Sequence, residues 1–448
     1  MRPSRLIAAA GALGLAAAAG SPVAVAWGPP QRASAGPEDA RSPDVAVSPA
    51  GDAIAAWVQE RDGRGTVVAA AAAAGRRWSA PRRISPPGLA AIDPAVAALP
   101  GGGGIVVWRQ ADRTRVLRGR RQAVYVARAR ELTAAGRWGP VEGLSDPLQK
   151  VGEPQVAVDG RGTTVAAWHW GTGTRAGTPG HVGQIQVSEK PPGGAWTHAR
   201  RASGARGCGL DTRLPRVAAG AGGHAVVWWQ CDLPRGRSGA QGIGRGPSPA
   251  AWSAERRLPF DAPGDQVADI AVEPGGAIVA VSPGRRGALA AWRGPAPLGA
   301  AGALGLAPVS LPAPQPLARD GGRLSVAAST AGAIAGWIGP RGLGVADIGA
   351  AGTVDRVTTL GGPLAARRGA RVASLPAGPA VAVALARGGV VATSRGNGGA
   401  WAPLERISAA GAVADAVVGA TDQVATAYWS RRSGGRSVVE RAESRLAP

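Results

Sequence analysis

Charged side chains that could do chemistry recur near the start of short apolar segments. Aligning eight of these segments places one residue of each at an equivalent position: Asp44, Ala95, Gln155, Arg216, Asp269, Ser325, Arg371 and Asp415. Residues two positions earlier would lie on the same face of a β-strand, and three of them are charged: Asp93, Glu153 and Arg323. If the segments converge, charges of both signs meet at one rim.

Such a rim is suited to two kinds of chemistry. Arginine side chains bind anionic groups in a bidentate manner, so Arg216, Arg323 and Arg371 would suit a polar or sugar-like ligand. Paired carboxylates would instead act as acid and base on a glycoside. A third interpretation is structural, in which a solvated ring of charges only helps the fold to close.

Other kinds of site have little support in the sequence. The four histidines, His169, His181, His198 and His224, lack the i, i+2 or i, i+4 spacing of metal ligands. The chain also has no serine nucleophile elbow, no P-loop and no dinucleotide-binding fingerprint. We therefore predict no metal, no cofactor and no catalytic residue.

Tryptophans form a second group of candidates. Most of the 15 recur at repeat positions, which are Trp57, Trp108, Trp168, Trp228, Trp337 and Trp429 in one segment and Trp78, Trp138, Trp196, Trp252 and Trp401 in another. Rings at these positions are expected to pack between neighbouring units. Trp170 and Trp229 fall outside them and are expected to face the other way, so they are candidates for stacking on a sugar.

The elements that would position these residues follow a repeat. DVAVSPAGDAIAAWVQE from Asp44 and EPQVAVDGRGTTVAAWHW from Glu153 share a short strand, a glycine-rich turn and a strand that contains Trp. A third strand, another glycine turn and a Trp-led fourth strand follow. The chain begins with a lone fourth-strand motif, WGPPQRAS (27–34), and ends after three strands.

This split repeat predicts a single all-β domain, a β-propeller of eight four-stranded blades. The N-terminal strand would pair with the C-terminal strands and close the ring, which leaves no open sheet edge at either terminus. Because the fifth to seventh copies are weakened, seven blades are the alternative. A β-sandwich or two smaller propellers would not need the split repeat.

Composition narrows the class further. The 70 glycines and 38 prolines disfavour long helices, and the 45% apolar content disfavours disorder. The net charge of +22 would attract polyanions, and RTRVLRGRR (113–121) is one basic loop. Because arginine is scattered along the chain, we expect no specific nucleic-acid partner. An anionic polymer of the cell envelope is the favoured one.

The N-terminus and the cysteines indicate export. Residues 1–26 have two arginines, a short apolar run and a small-residue cleavage site, Ala24-Val25-Ala26, typical of a signal peptide. The mature domain would then be 27–448, secreted, monomeric and without a transmembrane segment; an uncleaved N-terminal anchor is the alternative. Cys208 and Cys231 are expected to form a disulfide, with two buried free thiols as the alternative.

One turn resembles a family motif. Ser394-Arg-Gly-Asn-Gly398-Gly-Ala-Trp401 is similar to the Asp-box of secreted sialidase-like propellers, although Gly396 stands where the Asp belongs. The segments 188–196 and 73–79 are more degenerate copies. A catalytic sialidase would imply an arginine triad, a tyrosine nucleophile with a glutamate partner and an aspartic acid. That set cannot be placed here, because Tyr125 and Tyr428 are expected to pack within blades.

Together these features predict a secreted, non-catalytic β-propeller that binds a glycan or a cell-envelope polymer. A sialidase-like glycoside hydrolase is one alternative. An extracellular protein-interaction scaffold, which would use loops such as 111–121 and 171–182, is the other.

Overall fold

The chain forms an eight-bladed β-propeller, as predicted. The computed structural model describes residues 26–117, 120–146, 150–171, 183–204, 211–233, 237–247, 251–259, 268–283, 288–294, 306–311, 315–317, 324–330, 332–361, 364, 370–374, 380–386, 388–396, 399–420 and 424–445. Eight antiparallel sheets account for all of the strands in these residues. Neighbouring first strands contact each other in chain order, and the last contacts the first.

The first strand of the chain, β1 (Gln31–Arg32), belongs to the last blade. Blade 1 contains β2 (Asp39–Val47), β3 (Ala53–Arg61), β4 (Arg64–Ala72) and β5 (Arg82–Arg83). Blade 2 contains β6 (Ala91–Ala98), β7 (Gly104–Leu117), β8 (Arg120–Leu132) and β9 (Trp138–Gly143). Blade 3 contains β10 (Lys150–Val151), β11 (Gln155–Val158), β12 (Thr164–Gly171), β13 (Gly183–Lys190) and β14 (Arg200–Arg201). Strands β10 and β11 both pair with β12 and together form the first strand of blade 3.

The remaining blades follow the same order. Blade 4 contains β15 (Asp211–Ala219), β16 (Ala225–Leu233), β17 (Arg237–Arg245) and β18 (Arg256–Arg257). Blade 5 contains β19 (Asp269–Val272), β20 (Ile278–Pro283), β21 (Leu289–Gly294) and β22 (Ala307–Val309). Blade 6 contains β23 (Ser325–Ser329), β24 (Gly332–Gly339), β25 (Gly342–Gly349) and β26 (Val354–Gly361). Blade 7 contains β27 (Ala370–Ser374), β28 (Ala380–Ala386), β29 (Gly389–Arg395) and β30 (Glu405–Arg406). Blade 8 contains β31 (Val413–Ala420), β32 (Val424–Ser433), β33 (Arg436–Arg445) and β1.

Ring closure uses both ends of the domain, which confirms the prediction from the split repeat. Gln31 and Arg32 pair with Arg441 and Glu440 of β33. The amide of Ala33 donates to the carbonyl of Val439 at 2.9 Å. Trp27 is only 9% exposed and packs against blades 7 and 8. The outer strand of blade 8 is therefore supplied by the N-terminal end of the domain.

The core lies between blades, where the second strands alternate their faces. In blade 1, Ala55 and Trp57 pack towards blade 8, and Ile54 and Ala56 pack towards blade 2. The repeat tryptophan thus always faces the preceding blade, where it is fully or almost fully buried. Burying one large ring at each such position contributes a few kcal/mol.

Blade 4 corrects the sequence alignment by one residue. Ala225 stands at the start of β16 as Ala53 does in β3, so Trp229 is the counterpart of Trp57. Trp229 is fully buried against blade 3, and Trp228 faces blade 5. The alignment was wrong because two tryptophans are adjacent and only the strand register separates them.

The fourth-strand tryptophans pack between blades, as expected. Trp78, Trp138, Trp196, Trp252 and Trp401 each contact the core cluster that joins their blade to the preceding one. The motif similar to an Asp-box also lies where it was expected. Ser394 is in β29, and the amide of Ala402 donates to its carbonyl at 2.9 Å, which spans the turn between the third and fourth strands of blade 7.

Three expectations fall outside these residues in whole or in part. Residues 1–25 of the expected signal peptide lie outside the described residues, as do Cys208 and the segment 172–182. Cys231 is buried in β16, and its disulfide with Cys208 stays a prediction.

Residues 111–117 are not a loop but extend β7, which pairs with β8 as a long hairpin. In the described part of the chain, no helix is long and apolar enough to cross a membrane.

Candidate functional site

A bulge near the start of the first strand shapes one mouth of the central channel. In blades 1, 2 and 4 the bulged residues are Ser42, Asp93 and Leu214, each with a positive φ of 51° to 53° and each followed by proline. Proline has no amide hydrogen to donate and fits a bulge, where the ladder is interrupted. The residue two positions after each bulge, namely Asp44, Ala95 or Arg216, lines the channel mouth.

The first strands surround a cavity of about 720 Å³ at this mouth. Its volume is within the range of small-molecule sites. All eight residues of the predicted ring line it, namely Asp44, Ala95, Gln155, Arg216, Asp269, Ser325, Arg371 and Asp415, and so do Asp93 and Glu153. The sequence alignment therefore brought together side chains that do share one cavity.

Three of these ring residues bind the next blade. The Asp44 carboxylate accepts hydrogen bonds from its own neighbour Val45 at 3.0 Å and from Val96 of blade 2 at 2.9 Å. Asp269 accepts the amide of Val326 in blade 6 at 2.9 Å. The Ser325 hydroxyl accepts the amide of Val372 in blade 7 at 3.2 Å. Each residue acts as an inter-blade clamp, so the structural interpretation of the ring holds for part of it.

The two clamp carboxylates have altered acidity. Burial raises the pKa of Asp44 and of Asp269 above the usual range of an aspartate, because the charged form loses water. Hydrogen bonds from backbone amides oppose the shift, and so do the positive charges of Arg371 and Arg216. Each of the two arginines therefore acts on a carboxylate of blade 1 and on one of blade 5.

Other polar groups at the cavity have partners within their own blade. Arg109 donates from Nε to Asp93 at 2.6 Å and forms an ion pair with it. Gln155 donates to the carbonyl of Pro154 at 2.9 Å. Arg216 makes a long contact of 3.3 Å with the carbonyl of Pro215. Glu153 and Asp415 are exposed.

Blade 8 departs from the predicted alignment. Asp415 is itself the bulged residue, with φ 51°, and Val417 pairs with Tyr428 at the ring position. Asp415 therefore corresponds to Asp93 of blade 2 rather than to Asp44. Glu153 precedes a proline as Asp93 does, in accord with its predicted place. Arg323 lies outside the described residues.

The tryptophan candidates are distributed differently from the prediction. Trp229 is fully buried and lies away from the cavity. Trp170 is two residues after Trp168, so the two share a face of β12, and Trp170 is not among the cavity residues. Trp228, which the alignment had assigned to the core alone, lines the cavity although it is only 2% exposed. The interval of 13 residues from Asp44 to Trp57 also separates Arg216 from Trp229, and that spacing would have revealed the shift.

Tyr125 contacts its own blade, as expected, whereas Tyr428 packs between blades 8 and 1 rather than within a blade. Tyr428 is fully buried and forms an edge-to-face contact with Trp78, with ring centroids 5.3 Å apart. Tyr125 lies in β8 beneath the guanidinium of Arg109, at 5.3 Å. Among the described residues, no cluster of three or more His, Cys, Asp or Glu side chains is arranged to hold a metal ion.

Comparison with known proteins gives distant likenesses. No protein-family model matches the chain, and no curated protein does. Among solved structures, the Hadza microbial sialidase Hz136 is 13% identical, with a TM-score of 0.46 over 88% of this chain and 74% of its own. A protein of unknown function from Dyadobacter fermentans is 10% identical, with a TM-score of 0.44 over 95% and 99%. The NanB sialidase from Streptococcus pneumoniae is 9% identical, with a TM-score of 0.42 over 94% and 70%. Matches at these scores say nothing about function.

Proposed function

We propose that the protein is a secreted, non-catalytic binding propeller whose central cavity takes an anionic glycan or cell-envelope polymer. Arg216 and Arg371 would bind the acidic groups of the ligand. The chain would act as a monomer, because one domain carries the whole cavity.

The two cavity arginines are the observation that carries this proposal. Arg216 and Arg371 line the cavity, and the positive charge of each opposes the burial that raises the pKa of Asp44 and of Asp269. Guanidinium groups supply several donors in a planar fork that matches carboxylate and sulfate oxygens. An acidic sugar that enters the channel would meet both arginines at once.

Three of the five cavity carboxylates, Asp44, Asp93 and Asp269, support binding rather than hydrolysis. A glycosidase acid must transfer a proton to the leaving group, and its partner must reach the opposite face of the sugar ring. Asp44 and Asp269 instead accept hydrogen bonds from backbone amides of the next blade, and these bonds hold the neighbouring blades together. Asp93 is paired with Arg109. We therefore assign these carboxylates to the scaffold and the arginines to the ligand.

A glycan and polymer array, read beside a panel of fluorogenic glycosides, tests the proposal. Wild-type protein should retain acidic glycans or teichoic-type polymers without turnover. The double variant Arg216→Met and Arg371→Met should lose at least tenfold in affinity at constant ionic strength. Adding Arg323→Met tests the third predicted arginine. Arg356→Met removes an exposed arginine of blade 6 and should change nothing.

Two outcomes would contradict the proposal. Turnover of any glycoside that depends on a cavity carboxylate, Glu153 and Asp415 included, would make the protein a hydrolase. Unchanged affinity in the double variant would remove the central cavity as the site. Sequencing of the exported chain adds a check on secretion, because the proposal expects an N-terminus at Trp27.

A further inference from the structure

One outer position of the third strand locks neighbouring blades together. Strand pairing places Lys190 opposite Thr164, Arg245 opposite Ala225 and Arg395 opposite Ala380, so the three cations are structural equivalents. Each pairs with an acid at an equivalent place in the preceding blade: Lys190 with Glu131, Arg245 with Glu189, and Arg395 with Asp347. We call this arrangement the outer lock.

The outer lock between blades 3 and 4 shows how a guanidinium is bound here. Arg245 is 1% exposed. It donates to Glu189 at 2.7 Å and to Asp159 at 3.1 Å, and also to the carbonyls of Gly223 at 2.7 Å and Gly246 at 3.0 Å. Its guanidinium lies 5.6 Å from the ring centre of Trp252, whose Nε1 donates to Glu189 at 2.8 Å. Four acceptors and one aromatic face thus surround the group.

The junction between blades 8 and 1 contains part of the same surroundings without the arginine, and Thr421, the counterpart of Asp159, lies outside the described residues. Ala72 pairs with Ala53 and so occupies the position of Arg245. Glu443 takes the place of Glu189, and it accepts a hydrogen bond from Nε1 of Trp78, as Glu189 does from Trp252. Arg441 lies 5.4 Å over Trp78, much as Arg200 lies 5.2 Å over Trp252.

A cavity of about 450 Å³ occupies the position of the arginine side chain. Gly51 and Ala73, the counterparts of Gly223 and Gly246, line it together with Ala72, Trp78 and Glu443. Gly51 and Gly223 also share the same turn geometry, with φ of 97° and 90°. The side chain of Glu443 is 44% exposed, whereas that of Glu189 is 22% exposed beneath Arg245.

We propose that this cavity, distinct from the central one, binds an arginine that carries a free carboxylate. The guanidinium would take the place of the missing Arg245 side chain, between Glu443, the Trp78 ring and the carbonyl of Gly51. Arg76, Arg441 and Arg445 also line the cavity, and Arg441 already forms a long ion pair of 3.7 Å with Glu443, so a ligand with a cationic group alone would be repelled. A carboxylate on the same ligand offsets them. Free arginine and a C-terminal arginine of a peptide share this chemistry.

Calorimetric titration of the mature protein tests the proposal. The ligands are L-arginine, Gly-Gly-Arg, Gly-Gly-Arg amide and L-citrulline, which has the shape of arginine without its charge. We expect one site per chain for L-arginine, Gly-Gly-Arg or both, and at least tenfold weaker binding of the amide and of citrulline. The ratio of the first two affinities identifies the source of the ligand.

Two variants locate the site, and a third is the control. Ala72→Arg should place a guanidinium in the cavity and abolish binding. Glu443→Gln keeps an oxygen that can accept from Trp78 but removes the charge, and it should weaken binding at least tenfold. Ala135→Arg adds the same charge on the equivalent turn of blade 2 and should bind as wild type does.

Three results would overturn the proposal. They are no binding of L-arginine or Gly-Gly-Arg at millimolar concentration, binding of L-citrulline as tight as that of L-arginine, or wild-type affinity in Glu443→Gln. If Ala72→Arg does not fold, Glu443→Gln decides the question alone. The central cavity is independent of this one, so the double variant Arg216→Met and Arg371→Met should bind L-arginine unchanged. Either proposal can therefore fail without the other.

Discussion

The junction between blades 3 and 4 and the junction between blades 8 and 1 share an acid bonded to a tryptophan, but they differ in the side chain that faces this pair. At the first, the buried Arg245 reaches across to Glu189 and Asp159 of the preceding blade. At the second, Ala72 leaves that space open. The inner ends of the two junctions are more alike: Val417 stands at the ring position of blade 8, and Gln155 at that of blade 3 donates to Pro154 of its own blade, whereas Asp44, Asp269 and Ser325 clamp the next blade elsewhere.

The difference shows two ways to hold a ring closed. Where the chain runs continuously from blade to blade, outer locks join blades 2 and 3, blades 3 and 4, and blades 6 and 7. Where the two ends of the domain meet, the exchanged strand supplies the attachment instead, through the pairing of β1 with β33 and the burial of Trp27. Four continuous junctions also lack the cation, because Leu132, Gly294, Ile348 and Ser444 occupy its position. The closing junction differs from them in keeping the acid Glu443 beside an open cavity, which leaves space for a ligand.

Deletion of residues 27–34 should have the largest effect, because it removes the attachment on which only the closing junction depends. The deletion exposes the surface beneath Trp27 and breaks the bonds of Ala33 and Ser34 to Val439. We expect a loss of about 5 kcal/mol or more in the free energy of unfolding, comparable to the whole stability of many domains. Urea denaturation of 35–448 beside 27–448 measures it. Equal midpoints would mean that the exchanged strand does not close the ring.

Arg245→Ala should give the next largest effect. It leaves the buried Asp159 without its cation and opens a cavity of the kind seen beside Ala72. Removing one partner of a buried ion pair costs about 3–5 kcal/mol. Chemical denaturation measures the loss, and millimolar guanidinium should restore part of the melting temperature by occupying the vacated site. Arg137→Ala, on an exposed turn of blade 2, is the matched control and should change stability by less than about 0.5 kcal/mol. A loss below 1 kcal/mol for Arg245→Ala would show that the outer lock is not needed even where it is buried.

The predicted disulfide would make blade 4 more strongly held than blade 1. A bridge between Cys208 and Cys231 closes a loop of roughly 23 residues and would contribute about 3 kcal/mol. Reduction of the wild-type protein should therefore lower its melting temperature, whereas the variant Cys208→Ser with Cys231→Ser should be insensitive to reductant. Mass spectrometry after alkylation without reduction gives the direct answer. Two alkylated thiols in the exported protein would make the bridge wrong.

The sequence predicted the architecture and most of the central cavity because both follow from the repeat. A lone WGPPQRAS at one end and three strands at the other are enough to place β1 in blade 8. The ring positions could be aligned because each copy pairs a short strand with a glycine turn. Ten of the eleven predicted charged or ring residues consequently line one cavity, and Arg323 is the one that is not described.

The errors arose where local sequence does not determine register. A one-residue shift separates Trp228 from Trp229, and a bulge moves Asp415 away from the ring position. Both are properties of strand pairing, in which a one-residue slip turns every side chain to the other face. The outer locks were also missed, because they join residues far apart in the chain, such as Arg245 and Asp159. Only the superposition of blades makes Ala72 recognisable as a missing arginine.

The smallest expected effect concerns the inner clamps, which the closing junction lacks at its ring position. Burial raises the pKa of Asp44 above its usual range, so the folded state holds its proton at pH values where the unfolded chain has lost it. Between these two pKa values, stability should fall as pH rises, by at most about 1.4 kcal/mol per pH unit for one carboxyl. This contribution to stability is fully present below the ordinary aspartate pKa range, and it is lost above the raised pKa.

Asp44→Asn tests this contribution through the slope of stability against pH rather than through stability itself. The amide loses one of the two hydrogen bonds that the carboxylate accepts from Val45 and Val96, so absolute stability should drop at every pH. The slope between the usual aspartate pKa and neutral pH should nevertheless become less negative than in wild type, because the titrating group is gone. Asp415→Asn, which removes an exposed carboxylate from the same cavity, is the comparison. Urea midpoints at half-unit steps of pH give the slopes. An identical slope in wild type and Asp44→Asn would mean that the clamp carboxylate is as well solvated as one on the surface, and that the inner clamp adds nothing that the closing junction lacks.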